Sequence, residues 1–520
     1  MLCSTIREIL ARSAEKFCDK DAIRYKKGKN EIVCKSYQEL WADSEKFSAV
    51  LRRLGEQGKH IAMTGATSYE WVVTYFGVVN SGSVAVPLDV LLPAEELCEL
   101  IDRADATVLV ADEIRADVIT IAKERCPKLK YIISMQKEET EGGILSFWKL
   151  MDAEETCGSS CAGAEADAAF EFKNGNSDNP QPDRLATIMF TSGTTGKSKG
   201  VMLTHRNLAE NATCLDMKIP EDTVLLSVLP VHHAYCLTMD FLKGLSNGST
   251  VCLNDSLMRM AKNIKLFKPT MILMVPLMNE TMAKKLEAAE GMDPALVKRE
   301  VFGEQFTTIC SGGAYLPPAM IDLFKKYDID ILQGYGMTEC SPVISTTVSW
   351  DIRKGTVGQL VPNCEAKVVD EELWVRGSSV MQGYYKMPEE TSETLMDGWL
   401  RTGDLGYVDE DGFVYLTGRK KNLIITKNGE NVSPEELENK IGENRLVCEI
   451  LVRESEGMIE AEIYPDMEYV QKKEIADVAG ELQKLIDEYN AGTPAYKRVY
   501  RLKVRDTEFA KTPSKKIKRY

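Results

Sequence analysis

The sequence predicts an α/β protein built of several units, and three observations predict it. Between about His60 and Gly334, short runs apolar on both faces alternate with amphipathic helical stretches, the pattern of parallel strands covered by helices. After Thr356 the texture shifts to shorter strand-like runs with turn residues such as Asp411-Gly412, which suggests antiparallel hairpins. At 520 residues the chain is too long for one core, and length alone suggests roughly three units.

The opening segment, MLCSTIREILARSAEKF, reads as an amphipathic helix. It lacks the continuous apolar core of a signal peptide, and no run approaches the length of a membrane span. HIAMTG is a strand before a helix at 69–79, VAVPL precedes a helix at 94–103, and TVLVA is the next strand. Residues 151–184, rich in Ala, Gly, Ser, Asn, Asp and Pro, read as a surface connection. LATIMF, VLLSVL, TMILMV, TTICSG and IDILQG continue the buried strands, and KVVD, LWVRG and YVDEDGFVYL supply the hairpins. A smaller α/β unit follows Gly418, with helices expected at 434–441 and 472–489 and strands at 449–453 and 500–504.

Composition narrows the function. A hydrophobic content of 44% with 28% charged residues is that of an ordinary globular protein. The net charge of −15, with no extended basic surface, argues against a nucleic-acid partner. Fourteen cysteines lie scattered without zinc spacing; Cys157 and Cys161 form only an isolated pair. Such thiols, in a chain lacking an export signal, suggest a reducing cytoplasm. Four histidines (His60, His205, His232 and His233) are too few for a histidine-rich metal centre.

The most informative stretch is Thr191-Ser192-Gly193-Thr194-Thr195-Gly196-Lys197-Ser198-Lys199-Gly200. Its glycines let backbone approach an anion, while N–H groups, hydroxyls and ammonium groups share the charge of a polyphosphate. It is not a Walker loop, which needs four residues between its first Gly and the Gly-Lys pair and a helix directly after. Only Thr194 and Thr195 separate Gly193 from Gly196, and a helix first becomes plausible at Thr204, as N-cap of HRNLAENATC. A flexible linker is the competing reading.

Five further segments are hard to explain as packing alone: SGGAY (311–315), GYGMTE (334–339), RTGDLG (401–406), GRKKN (418–422) and KTPSKKIKR (511–519). The first two end predicted strands, where open α/β sheets bind ligands. Together and in this order, with the loop above, they resemble the acyl-adenylate-forming synthetases, in texture closest to bacterial fatty-acyl-CoA ligases. That resemblance covers nearly the whole chain. It implies a large N-terminal domain (1–420) of two α/β subdomains plus a β-barrel subdomain, and a small mobile α+β C-terminal domain (421–520).

The implied reaction is attack of a carboxylate on the α-phosphate of ATP, then transfer of the acyl group from the adenylate to a thiol. Two anions must meet, so the site must supply positive charge and oriented donors. By resemblance, Thr191, Ser192, Gly193, Thr194, Thr195, Gly196 and Lys197 cradle the β- and γ-phosphates. Thr338 touches the α-phosphate and Glu339 holds Mg2+, a hard cation suited to carboxylate oxygen. Gly312, Gly313 and Ala314 pass alongside adenine, and Tyr335, between Gly334 and Gly336, stacks on its other face. Asp404 accepts from the ribose hydroxyls and Arg419 supports ribose or phosphate. Lys516 matches the catalytic lysine; Lys515, standing where the family commonly has Gly, is the fallback. Lys421 occupies the hinge position, and Lys427, Asn428 and Gly429 line the path of coenzyme A. His233 matches a position near the substrate carboxylate, with a satisfied core histidine as the alternative.

Gly336 stands where acetyl-specific relatives place a bulky aromatic, which implies an open acyl pocket. The apolar segments MILMVP and GMTECSPV suit a hydrophobic acid, whether fatty, aryl or steroid-type. The expected activity is an AMP-forming acyl-CoA ligase, with ATP, Mg2+ and coenzyme A. The alternatives are an acyl-AMP ligase that loads an acyl carrier protein and a catalytically silent nucleotide-binding regulator.

Overall fold

The structure, a computed structural model, describes residues 2–28, 30–158, 180–191, 198–215, 217–426, 429–511 and 517–519. The chain divides into two units. The larger comprises Met1–Leu316, Met320–Glu365 and Val375–Leu400, the smaller Pro317–Ala319, Ala366–Trp374 and Arg401–Tyr520. The elements that carry the expected site are, in chain order, β1 (Leu185–Thr191), β2 (Lys199–Thr204), α1 (His205–Thr213), β3 (Met271–Met274), β4 (Thr308–Gly312), β5 (Asp330–Gly336), β6 (Val343–Thr346), β7 (Gly383–Tyr384), β8 (Trp399–Val408), β9 (Val414–Arg419) and α2 (Pro434–Gly442).

Two sheets organise the larger unit. In the eight-stranded sheet, β7, β2 and β1 are followed by Val84–Leu88, His60–Thr64, Ala106–Ala111, Tyr131–Ser134 and Ile144–Ser146. All are parallel from β1 onward, whereas β2 and β7 run antiparallel to their neighbours. The nine-stranded sheet places β6, β5, β4 and β3 side by side, then Val224–Ser227, Thr250–Leu253 and the hairpin Asp21–Lys27/Glu31–Ser36. Its parallel core reads as expected, because strands such as MILM are buried on both faces and must be apolar throughout. The N-terminal hairpin escapes a search for apolar runs: only Ala22 and Ile23 of DAIRYKK are buried, so its surface is mostly polar.

The smaller unit carries the β8–β9 hairpin and a three-stranded sheet of Val447–Ser455, Met458–Pro465 and Arg501–Val504, packed on α2 and the helix Val478–Ala491. Leu437, Ile441, Val452, Ile463, Leu482 and Ile486 form its core. The antiparallel strands after Thr356 are present as a five-stranded sheet.

Two expectations are corrected here. The helix expected at 472–489 is two helices, Met467–Lys472 and Val478–Ala491. Glu474 has φ +52°, which no helix tolerates, and Asp477 caps the second helix by accepting from Gly480 N–H. The connection expected at 151–184 begins as the end of a helix, Phe147–Gly158; most of it lies outside the described residues.

Candidate active site

The larger unit brings several expected residues to one end of its sheets. β4 and β5 are parallel neighbours with Gly312 opposite Gly334, so SGGAY and GYGMTE leave the nine-stranded sheet side by side. Gly312 is needed for packing: a Cβ there would sit 3.2 Å from Gly334 O and 3.2 Å from the Tyr235 ring. Gly313 has φ +88°, the left-handed conformation that glycine adopts without strain, and Gly313 and Ala314 are exposed. Tyr335 is buried and lies opposite Ser345 of β6. Thr338 and Glu339, both half-exposed, form a short 3-10 turn, Thr338–Cys340, directly after β5.

The two ends of the stretch 191–200 pair with each other as antiparallel strands. Thr191 closes β1 opposite Lys199, the first residue of β2. Ser192, Gly193, Thr194, Thr195, Gly196 and Lys197 lie outside the described residues. The closing end is pinned by Arg103, whose Nη2 donates to Ser198 O at 2.7 Å and whose guanidinium lies over the Phe190 ring. Thr204 caps α1, as the sequence predicts, and does so in a reciprocal pair with Asn207. From α1, Asn207 donates to Ser378 O and Val380 O, and Asn211 brackets Val343 by donating to its carbonyl and accepting from its N–H. The helix after the hairpin therefore fixes the chain on the far side of Glu339.

Glu339 itself is held from two directions. Tyr384 OH donates to Glu339 Oε1 at 2.9 Å, and Met381 N–H donates to Glu339 O at 2.9 Å. β7 pairs with β2, Tyr384 opposite Val201, and Lys199 Nζ sits 4.7 Å from the centroid of the Tyr384 ring. Burial and the neighbouring carboxylate push the Tyr384 phenol well above its ordinary range, so it stays a donor. Neither Tyr384 nor Arg103 was anticipated from sequence.

His233 is exposed and packs against His232, the rings tilted by 34° with centroids 4.7 Å apart. Its neighbour His232 is the more buried of the two, its imidazole pulled down to about 4 by burial and by His233.

Gly336 requires a correction. A Cβ there would lie 1.9 Å from Pro342 O and 2.7 Å from its carbonyl carbon, because β5 bulges against β6 between Tyr335 and Gly336. No side chain can be added without moving backbone, so an open acyl pocket does not follow from the missing side chain alone. Gly429 is the opposite case: its φ is +81° and a Cβ would meet nothing described within 4 Å.

In the smaller unit the β8–β9 hairpin sets Asp404 directly opposite Arg419, and Arg419 Nε lies 2.6 Å from Asp404 Oδ1. A residue missed in the sequence organises both strands. Glu372, 2% exposed, accepts from Gly403 N–H at 3.0 Å and Lys420 Nζ at 2.9 Å, with Arg401 Nη2 at 3.6 Å. Burial works against its charge, but Lys420 and Gly403 N–H hold the carboxyl below its usual range. Lys421 lies in the 3-10 turn Lys420–Asn422. Lys427, Asn428, Lys515 and Lys516 lie outside the described residues. The flanks of residues 512–516 are tied: Lys511 bridges Ile517, Lys511 pairs with Glu449 at 2.5 Å, and Arg519 pairs with Glu438 and Glu435.

For Mg2+, the residues present fit. Tyr384 occupies Oε1 of Glu339, and no other partner of this carboxylate is found among the described residues. A half-exposed carboxylate of this kind suits a cation that arrives with substrate phosphates and keeps several waters.

Two family models match the chain. Residues 10–385 match the AMP-binding enzyme model and residues 421–520 match the AMP-binding enzyme C-terminal domain. The chain is 29% identical over 495 residues to a long-chain-fatty-acid–CoA ligase of Bacillus subtilis, covering 86% of this chain and 82% of that one. Its fold resembles that of the anthranilate CoA ligase AuaEII in complex with anthranoyl-AMP, with a TM-score of 0.81 at 22% identity over 99% of this chain and 95% of that one. It also resembles ATP-bound MatB from Rhodopseudomonas palustris, with a TM-score of 0.77 at 25% identity over 98% and 96% of the two chains. The chain belongs to the AMP-binding enzyme family.

Proposed function

We propose that the protein is an AMP-forming acyl-CoA ligase that activates a hydrophobic carboxylic acid with ATP and passes the acyl group to coenzyme A. The observation that carries this reading is the meeting of the β4 and β5 ends with the β1–β2 hairpin through Tyr384 and Glu339. In it, the hairpin loop supplies donors to the β- and γ-phosphates, and Thr338 meets the α-phosphate. Mg2+ on Glu339 would neutralise phosphate charge. His233, exposed beside the start of a helical stretch, stands near the acid. Asp404 and Arg419 take the ribose, and Lys516 bridges carboxylate and α-phosphate. The small domain, residues 421–520, turns about Lys421 between the two half-reactions, a reading supported by the start of the C-terminal family match at 421.

The substrate class is supported by the apolar segments MILMVP and GMTECSPV and by relatives named long-chain-fatty-acid–CoA ligase. It no longer rests on Gly336. A cytoplasmic location is proposed from the described cysteines, all of them free thiols. Among the described residues no helix is long and apolar enough to cross a membrane.

The test is pyrophosphate release across a panel of fatty and aryl acids, with and without coenzyme A. Acid-dependent release with thioester formation on coenzyme A is expected. Thioester formation only on a carrier-protein thiol would replace the acceptor, and no release with any acid would sink the ligase reading.

A further inference from the structure

The placement of Glu339 depends on both sheets of the larger unit. Its backbone follows β5 of the nine-stranded sheet, while its carboxylate is reached by Tyr384 of β7, the edge strand of the eight-stranded sheet. The reach is rigid. Met381 N–H holds Glu339 O, Gln382 N–H holds Met202 O, and Tyr385 N–H holds Gly200 O at 2.7 Å, so the backbone at 381–385 is stitched alternately to the turn and to β2. Tyr384 N–H is held in turn by Thr391 Oγ1 at 2.9 Å. The ring is covered by the ammonium of Lys199, the residue that closes the hairpin loop opposite Thr191.

A carboxylate with free rotamers presents either oxygen, or both, to a cation. Here the phenol fixes one oxygen, which leaves a single oxygen in one direction. A neutral donor also does this without cancelling the negative charge, as a lysine or arginine would.

We infer that Tyr384 is the positioning residue that sets Glu339 for a divalent cation carried by the nucleotide, and that Lys199 ties this clamp to the phosphate hairpin. The inference rests on the reading of Glu339 as the cation ligand. No bond is made or broken at Tyr384; it acts through the orientation of the carboxylate, so its removal should weaken cation-dependent nucleotide binding more than nucleotide binding itself.

The test uses the full chain and measures melting temperature with ATP plus EDTA and with ATP plus a Mg2+ titration, in the parent and in Tyr384→Phe. The parent should gain an increment from Mg2+ beyond that from ATP alone. In Tyr384→Phe the half-saturating Mg2+ concentration should rise about tenfold, as expected for loss of one hydrogen bond to a charged group. Stabilisation by ATP with EDTA should match the parent. If the phenylalanine variant melts too early to titrate, Glu339→Asp, which withdraws the carboxylate from the phenol, should show the same displaced Mg2+ dependence. An unchanged Mg2+ midpoint in Tyr384→Phe, with the parent increment intact, overturns the inference while leaving the cation reading of Glu339 standing. A parent without any Mg2+ increment overturns both. Pyrophosphate exchange by the same parent preparation reports separately on the ligase reading.

Discussion

The two carboxylates expected at the nucleotide, Glu339 and Asp404, are held in opposite ways. Glu339, in the larger unit, is half-exposed and gripped by a neutral phenol and, at its carbonyl, by a backbone N–H. Asp404, in the smaller unit, is 5% exposed and faces the Arg419 guanidinium, one residue from a Gly403 N–H held by the buried Glu372. The neutral clamp leaves a full negative charge available to a cation. The salt-bridged acid is already balanced, which suits it to accept from uncharged hydroxyls. Charge compensation thus distinguishes the two carboxylates in the way the proposed roles, cation ligand and ribose acceptor, would require.

The largest expected effect tests the contribution assigned to the smaller unit. Lys516→Ala should slow acyl-adenylate formation by about 10²–10³-fold, the usual size for one oriented group at developing charge. Thioester formation from supplied acyl-adenylate should continue. If both half-reactions fall together, or if only Lys515→Ala shows the loss, the assignment is wrong. Next, Lys421→Pro fixes φ near −65°, which the 3-10 turn at Lys420–Asn422 accommodates, yet forbids the change a hinge must make. Single-turnover pyrophosphate release should persist while thioester formation drops more than tenfold. Equal losses would move the hinge, and the boundary between the two units at Leu400/Arg401 offers the competing place for it.

Glu372→Gln should destabilise by about 1.5–3 kcal/mol, because Lys420 and Arg401 lose a charged partner. Glu339→Gln should cost almost nothing by the same thermal measurement. Comparable losses for the two would erase the contrast between a balanced acid and a poised one. Gly336→Ala should cost about 1–3 kcal/mol through its collision with Pro342, without any shift in acid preference; a shift toward short acids would restore the pocket reading.

The smallest effect is one of pH, and it has opposite signs in the two units. Burial pushes Glu438 in the smaller unit up to about 7 against the pull of Arg519. Its folded value lies above the unfolded one near 4.3, so it favours folding in acid and that contribution is lost as pH rises toward 7. His205 in the larger unit, wholly buried, is pulled down to about 3 by burial. Its contribution is present above about 6.5 and is lost as pH falls. The melting-temperature advantage of parent over Glu438→Gln should therefore grow from pH 7 to 4.5, while that over His205→Gln should shrink. Parallel trends would show that one of these groups is not buried as described.

What was legible in the sequence follows from how local its causes are. Strands such as LATIMF and TTICSG declare themselves because burial on both faces forces an unbroken apolar run. The start of α1 could be read because Thr204 is a local N-cap; the structure adds its reciprocal partner Asn207. The cross-strand partnership of Asp404 and Arg419 was half-visible as two motifs bracketing a hairpin. Glu372 was not visible: in EELW the neighbouring Glu371 sits at φ +62° in the turn, and only the strand that follows decides which glutamate turns inward. Gly336 was misread because its neighbour Pro342 comes from a chain reversal that no spacing announces. Tyr384 depends on β7 joining a sheet whose other strands lie almost two hundred residues and more away.

That same segment also bears on solubility. β7 is two residues long and forms the outer edge of the eight-stranded sheet, beside β2. Immediately after it, Tyr385 gives its N–H to Gly200, Lys386 takes a left-handed φ of +56°, and Pro388 starts a helix with no N–H to offer. A short edge strand followed by lysine and proline is how native sheets deny a template to another chain. Residues 381–388 thus guard the open flank of the sheet as well as the carboxylate, and lesions that unseat them should surface as intermolecular strand pairing and aggregation before they register as slow catalysis.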